Sequence, residues 1–407
     1  MSWNTVKLGD IFDISSSKRV HQHEWRKEGI PFYRAREIVS LANDGYVNND
    51  LFIDESLYEE YSRKYGVPKA GDLLVSAVGT LGRTYAVKKS DKFYFKDASV
   101  LWLKKTAAVD TTYIQYAIKS DSVQGYIQNY SGATVGTYTV RKAKNTEIPL
   151  PPLPIQKQIA ALLEKADTLR SQCKQMEQEL NQLAQSVFLE MFGDPVTNPR
   201  GWKFYPISSL VCQPLQNGAY YEKELYNDKG IEMAHMSDTF YGVVERGNIK
   251  RVLAPPKDIE KYALTKDDVL VTRRSLVYEG AAKPCMIPDS EEALIYESSM
   301  IRVRPDLKKV LPTYLYHYLN NQRAREKYLF QYVTRSTISG INQTNLAKVE
   351  IMVPDIEIQK KFCRILRSIN KNKQKLQQEL SNYETLFNSL MQRAFKGELN
   401  MPIGDAA

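Results

Sequence analysis

The sequence predicts an α+β fold: two mixed α/β domains, each followed by a long helix, with the two helices pairing as an antiparallel coiled coil in an internal pseudo-twofold repeat. Three observations predict it. Over 155–192, apolar residues fall at Ile155, Ile159, Leu162, Ala166, Leu169, Cys173, Met176, Leu180, Leu183, Val187 and Met191. The steps alternate between four and three, the a/d seam of a coiled-coil helix roughly 55 Å long. A related helical stretch, 358–395, follows. Finally, the chain aligns with itself. Residues 131–159 match 334–362 at an offset of 203, with Glu147-Ile148 facing Glu350-Ile351, Pro151 facing Pro354, and Ile155-Gln156-Lys157 facing Ile358-Gln359-Lys360.

Small gaps carry the match upstream. Thr112-Tyr113 pairs with Thr313-Tyr314, Ser99 with Ser299, Asp72 with Asp268, Gly29-Ile30 with Gly230-Ile231, and Trp3 with Trp202. The expected organisation is a domain over 1–154, a helix and linker over 155–196, a second domain over 197–357 and a second helix over 358–399. An antiparallel helix pair would place the two domains at opposite ends, as in a C2 dimer fused into one chain.

Taken in order, 30–34, 72–78, 84–87 and 100–103 read as strands bounded by Gly, Asp and Lys/Ser turns. Residues 111–120 read as a short helix, with a continuation over 123–130, and 132–136 as a loop. Residues 148–154 are proline-rich and extended, because each proline disfavours helix in the residue before it. Pro154 suits a helix start, and Gly193 with Pro195 stops the helix. Residues 193–201 form the linker. The second seam is interrupted by Asn372 and Glu379. These either fix the register of the pair or face solvent or another subunit.

Charge and cysteine content narrow the function classes. The 407-residue chain carries a net charge of +9, split as +4, −2, +2 and +5 over 1–154, 155–196, 197–357 and 358–407. That balance permits a nucleic-acid partner without a basic tail. Cys173, Cys212, Cys285 and Cys363 form no C-x-x-C pair, so free thiols in a reducing cytoplasm are expected. There is no run of membrane-span length and no signal-peptide pattern.

Catalytic motifs are absent. Gly79-Thr80-Leu81-Gly82-Arg83-Thr84 mimics only the tail of a phosphate loop and reads as strand–turn–strand. No G-x-S-x-G, H-E-x-x-H or Asn-Pro-Pro-aromatic motif is present. His21-x-His23 could place two metal ligands on one strand face, but no third is evident. His317 reads as a structural histidine.

Binding features are stronger. The chain holds 26 tyrosines, a residue type enriched with Arg at interfaces. Arg34 and Arg36 follow the 30–33 strand, which places both guanidinium groups on one face at i, i+2. The second copy has His235 and Ser237 there. Arg83 follows the glycine turn, where the second copy has Arg273-Arg274. Arg141 and Lys142 follow the 132–136 loop, and Arg335 lies in its counterpart. Guanidinium groups suit guanine edges and phosphates. As a set that differs between matched positions, these residues fit two recognition surfaces of different specificity.

The junctions carry a resemblance. Residues 148–159 (Ile-Pro-Leu-Pro-Pro-Leu-Pro-Ile-Gln-Lys-Gln-Ile), 353–362, the linker 191–202, 29–38 and 71–76 together resemble the specificity subunits of type I restriction–modification systems, over essentially the full chain. Ile155 and Ile358 depart from the pattern, since many members have Glu before the Gln. The resemblance implies that each domain is a target-recognition domain reading half of a bipartite DNA site. The helices would set the gap and dock two methyltransferase subunits. S-adenosylmethionine, ATP and Mg would belong to partner subunits, including restriction subunits, and this chain would bind no cofactor and catalyse nothing. The DNA-contacting candidates are then Lys18, Arg19, Arg34, Arg36, Arg83, Arg141, Lys142, Tyr220, Tyr221, His235, Arg273, Arg274 and Arg335. Competing readings are a coiled-coil scaffold for proteins, a methylation-only specificity subunit, and an enzyme with an unrecognised site. Positive charge in both domains argues against the first.

Overall fold

A computed structural model of the chain describes residues 3–129, 136–239 and 242–399. They form two compact units, 1–174 with 378–407, and 175–377. Each unit therefore combines one globular half with parts of both long helices.

In the first unit a four-stranded antiparallel sheet is ordered Phe12–Ser15, Val100–Lys105, Leu73–Ser76, Thr84–Ala86. Its inner strand Leu73–Ser76 is buried at every position, as a strand covered on both faces must be. Asp72, just before that strand, is buried and accepts from Trp102 Nε1 (2.9 Å) and the Lys69 and Lys105 amides. A second sheet runs Trp25–Arg26, Phe52–Ile53, Ile30–Tyr33, Tyr94–Phe95, the last pair parallel. Thr5–Lys7 pairs with Glu147–Pro149, closing the domain at the foot of the long helix.

The second unit repeats this plan. Its four-stranded sheet is Gln216–Asn217, Met300–Val303, Val269–Thr272, Pro284–Met286, and Val269–Thr272 is again wholly buried. Asp268 occupies the place of Asp72, accepting from Arg304 Nε and Nη2 at 2.7 Å. The companion sheet is Arg251–Val252, Tyr226–Ala234, Leu294–Tyr296, with the same parallel pairing at its edge. Lys203–Pro206 pairs with Glu350–Val353.

The long helices are Leu153–Phe192 and Ile356–Lys396. The first starts two residues earlier than the seam predicts, with Pro154 in the first turn, where a missing N–H costs nothing. Within the first unit Ile155, Ile159, Leu163 and Ala166 share a core with Phe387 and Ala394, so the start of one helix meets the end of the other. Within the second unit Phe188 and Phe192 share a core with Phe362, Leu366 and Ile369. Both arrangements are antiparallel. The seam departs from strict a/d burial, since Met176 and Leu183 are exposed while Leu163, Phe188 and Phe192 are buried. Near each domain the helix must face the domain as well as its partner helix, which widens the buried stripe. Asn372 and Glu379 are exposed, which supports the solvent-facing reading over register control.

The same polar joint is built at the root of each helix. Gln156, 2% exposed, accepts from the Asp110 amide (2.9 Å) and donates to Pro151 O (2.8 Å). Gln359, fully buried, accepts from the Leu311 amide (2.9 Å) and donates to Pro354 O (2.8 Å) and Lys309 O (3.1 Å). Each glutamine thus joins a long helix to the first turn of a domain helix, Thr111–Lys119 or Pro312–Asn320. Indoles make a second joint: Trp3 Nε1 donates to Ala394 O (2.9 Å) and Trp202 Nε1 to Phe192 O (3.0 Å).

Two further expectations are corrected. Of the expected continuation over 123–130, the described residues 123–129 do not prolong the preceding helix. Ser120 turns extended (ψ 148°) and Asp121–Gln128 is a separate helix. His21 caps, and His23 lies within, a 3-10 turn, Gln22–Glu24, and their rings stack instead of sharing a strand face. Among the described residues no cluster of three metal-ligating side chains occurs and no helix is long and apolar enough to cross a membrane. All four cysteines are free. Of the 132–136 loop, residues 132–135 lie outside the described residues.

Replacing Gln359 with Leu should destabilise the second unit by about 3 kcal/mol, because a buried amide and two buried carbonyls lose their partner; urea unfolding measures this. His317 packs edge-on to Phe362, and burial, aided by Lys373, pulls its pKa down to about 4. The unfolded chain then binds the extra proton between about pH 6.5 and 4, so stability falls as pH drops through that window. Across it wild type should lose stability relative to His317→Leu, by up to roughly 3 kcal/mol in all, which thermal melts at successive pH values measure.

Candidate nucleic-acid interface

The arginine pair of the first unit does not continue a strand. Tyr33 ends the strand, and Arg34 caps the helix Ala35–Asp44. Glu37, at the third helical position, reaches back to accept the Arg34 amide (2.8 Å), as in a capping box. Its carboxylate also accepts from Arg34 Nη2 (2.9 Å) and Arg36 Nε (2.5 Å). Asp50 completes the cluster, 2.7 Å from both Arg34 Nη2 and Arg36 Nη2. Burial would raise the Glu37 pKa, yet the Arg34 and Arg36 hydrogen bonds outweigh it and hold the carboxyl below its ordinary value. Arg36 remains 60% exposed, so one guanidinium is presented outward on a fixed base.

The second unit keeps the frame and changes the head groups. The His235 amide donates to Asp238 (2.8 Å), as the Arg34 amide does to Glu37. The His235 ring sits between Met233 O, 2.8 Å from Nδ1, and Tyr226 Oη, 2.9 Å from Nε2. With the proton on Nδ1, Nε2 accepts from the Tyr226 hydroxyl, so both ring nitrogens are engaged inside the unit.

A further difference between the copies is a turn. In the first unit residues 77–83 join Leu73–Ser76 to Thr84–Ala86, and Gly79 and Gly82 supply its left-handed conformations (φ 69° and 73°). Arg83, at its end, is exposed and lines a cavity of about 1130 Å³ with Lys119, Asp167 and Arg170. Burial lowers the Lys119 pKa there despite Asp167. In the second unit residues 273–283 make the same connection with four more residues. This turn forms a ribbon, Arg274–Ser275 against Ser339–Gly340, with Arg274 exposed and the Arg335 guanidinium 4.3 Å above the Tyr278 ring.

Other candidates divide into presented and committed groups. Lys18 is exposed over the Tyr65 ring (5.7 Å), and Arg141 is exposed on the helix Val140–Lys144. Tyr220 is exposed, its hydroxyl 3.5 Å from Glu222. Arg19 pairs with Asp97 at 2.9 Å yet stays largely exposed. Lys142 is structural, donating to Ile127 O (2.9 Å) and Asn129 O (2.7 Å) at a helix C-terminus, where a cation is favoured. The Tyr221 hydroxyl donates to Asp258 (2.9 Å), and Arg273 Nη1 to Ser298 O (3.3 Å).

Sequence reasoning missed Glu37 and Asp50, which position the arginine pair, and Leu276, Val277 and Tyr278 in the longer turn. The turn did leave a signal. The offset is 196 at Asp72/Asp268 and 200 at Ser99/Ser299, so four residues enter between them.

A sequence family described as the type I restriction modification DNA specificity domain matches residues 1–184 and again 199–382. The chain belongs to this family. Over 40% of its length it is 30% identical to a Haemophilus influenzae protein designated a type I restriction enzyme specificity subunit, covering 40% of that protein. It is 21% identical to the EcoBI specificity subunit of Escherichia coli, across 98% of this chain and 86% of that one. Its fold is similar to the type I restriction–modification S subunit from M. genitalium, with a TM-score of 0.59, 14% identity and coverage of 97% and 96%. As a member of the specificity family, the chain is a non-catalytic DNA-recognition component of a restriction–modification complex. The double family match agrees with the internal repeat.

Glu37→Ala should destabilise the first unit by about 2–3 kcal/mol, since two guanidinium groups and a helix start lose a buried acceptor. Arg36→Ala should cost less than about 1 kcal/mol. Chemical denaturation distinguishes them, and the mild variant then isolates the part Arg36 plays in DNA binding.

Proposed function

We propose that this chain reads a bipartite, asymmetric DNA site, one half with each unit. The observation that carries this reading is the repeat of one framework with different side chains at matched positions. Arg34 and Arg36 are replaced by His235 and Ser237, and a seven-residue turn ending in Arg83 is replaced by an eleven-residue turn bearing Arg274. Matched frames with different heads suit two different half-sites, and phosphate contacts from exposed Arg and Lys would set the docking while base-edge contacts specify. Arg36, Arg83, Arg141, Arg274 and Arg335 are the exposed guanidinium groups offered for this. Arg34, His235 and Lys142 are assigned the holding of that surface.

The long helices fix the number of unspecified base pairs and offer docking faces to two methyltransferase subunits, with exposed Met176, Leu183 and Leu386 as candidate contacts. S-adenosylmethionine, ATP and Mg are assigned to the methyltransferase and restriction subunits, and the complex acts in the cytoplasm. Adenine methylation across the host genome, with and without this gene, tests the reading. One split motif should depend on the gene, and exchange of residues 1–154 for another specificity subunit's domain should change one half of it. Dependence of no motif, together with failure of the purified complex to bind duplex DNA, would overturn the reading.

A further inference from the structure

We propose that the tip of the longer turn in the second unit, residues 275–278, is a wedge that inserts Leu276 between base pairs of the bound duplex. The inference rests on the DNA-reading function above and adds a deformation step to it.

The tip is apolar where a surface turn is ordinarily polar. Leu276 is 81% exposed, Val277 61% and Ile338 51%. The ribbon register, Ser275 opposite Ser339, brings Leu276 and Ile338 to the same end. Cations flank them: Arg274 is exposed, and Arg335 stacks on Tyr278. Glu279 is the only acid in 273–283, against Arg273, Arg274 and Lys283. Apolar side chains with guanidinium flanks match a kinked duplex, in which the apolar group unstacks a base step and the cations hold the phosphates on either side. Three side chains are too few for the core of a stable protein–protein interface, which takes about 800 Å² per partner.

A wedge must also be stiff, and the base of this turn is rigid. Arg325 is 5% exposed and all its bonds go to carbonyls: Nη1 donates to Ala282 O (3.0 Å) and Leu319 O (3.1 Å), Nη2 to Glu279 O (2.9 Å) and Ala281 O (2.8 Å). The Val277 amide donates to Ser275 Oγ (3.1 Å), and the Tyr278 hydroxyl to Phe330 O (3.1 Å). Gly280 and Gly340 leave no room for a Cβ against Ser275 and Arg273. In the first unit the position of Arg325 is held by Gln124, which donates to Ile118 O (2.7 Å), the counterpart of Leu319 O. The longer turn therefore comes with a longer-reaching anchor, which a passive insertion does not require.

The test uses the full chain in complex with its methyltransferase subunit, and a duplex bearing the split motif that depends on this gene, with 2-aminopurine at successive positions of the half read by the second unit. Wild type should raise the fluorescence at one step, reporting unstacking. Leu276→Ser with Val277→Ser, both exposed and so harmless to folding, should abolish that rise and weaken specific binding about tenfold. Its binding to random duplex at low salt should not change. Arg335→Ala should instead flatten the salt dependence by about one ion. An unchanged fluorescence rise in the double variant overturns insertion, even if affinity falls. Loss of methyltransferase co-purification with intact DNA binding also overturns it and makes the tip a protein contact. If wild type binds no duplex, the DNA-reading function itself fails, which is a different result from a wild type that binds without unstacking.

Discussion

The buried glutamine at the root of each long helix is the constraint on which the rest depends. Gln156 and Gln359 each spend their amide on the backbone of both the proline arm and a domain helix. A helix about 60 Å long is a lever, and a few degrees of play at its root would move its far end by several ångström. A side chain with donor and acceptor fixed in one plane removes that play better than apolar packing, which constrains position more than angle. Tyr113 and Tyr314 add to each joint, their hydroxyls donating to Pro149 O and Met352 O. The recognition loops are therefore built on bodies whose attachment to the helices is defined by hydrogen bonds.

Against that shared frame the copies diverge where divergence is harmless to folding. Asp72 and Asp268 do the same buried work with different donors, an indole in one unit and a guanidinium in the other. Gln124 and Arg325 anchor the same carbonyl position but serve turns of different length. The capping carboxylates Glu37 and Asp238 persist while the residues they hold change from arginine to histidine. Buried polar partners thus co-vary with the exposed residues they support.

Much of the frame was legible in the sequence because it rests on periodicity and repetition. The 155–192 seam announced the helix Leu153–Phe192, and the apolar runs near 72–78 and 100–103 announced strands. What stayed hidden depends on contacts between distant residues. Arg34 and Arg36 looked like a strand end because Ile30–Tyr33 is extended, and only Glu37, acting as a helix-start acceptor, turns the chain there. Asp50 lies 14 residues away and joins the cluster through the fold alone. Lys142 and Arg141 are adjacent in sequence, yet one is consumed by helix carbonyls and the other is exposed, a distinction set by which face of a one-turn helix meets the neighbouring helix end. The narrow seam missed Leu163, Phe188 and Phe192 because heptad spacing records a helix's partner helix and not the domain at its end.

The Trp3 bond to Ala394 O, spanning 391 residues, has a consequence for biosynthesis. The second unit is a single continuous segment, 175–377, whereas the first needs both the beginning of the chain and residues after 377. A ribosome delivers the chain from its N-terminus, so the domain translated first is the one that must wait for its last strip of core, including Phe387 and Ala394. Until residues beyond 377 are made, that core lacks Phe387 and Ala394, so the whole of the second unit is synthesised before the first can be completed.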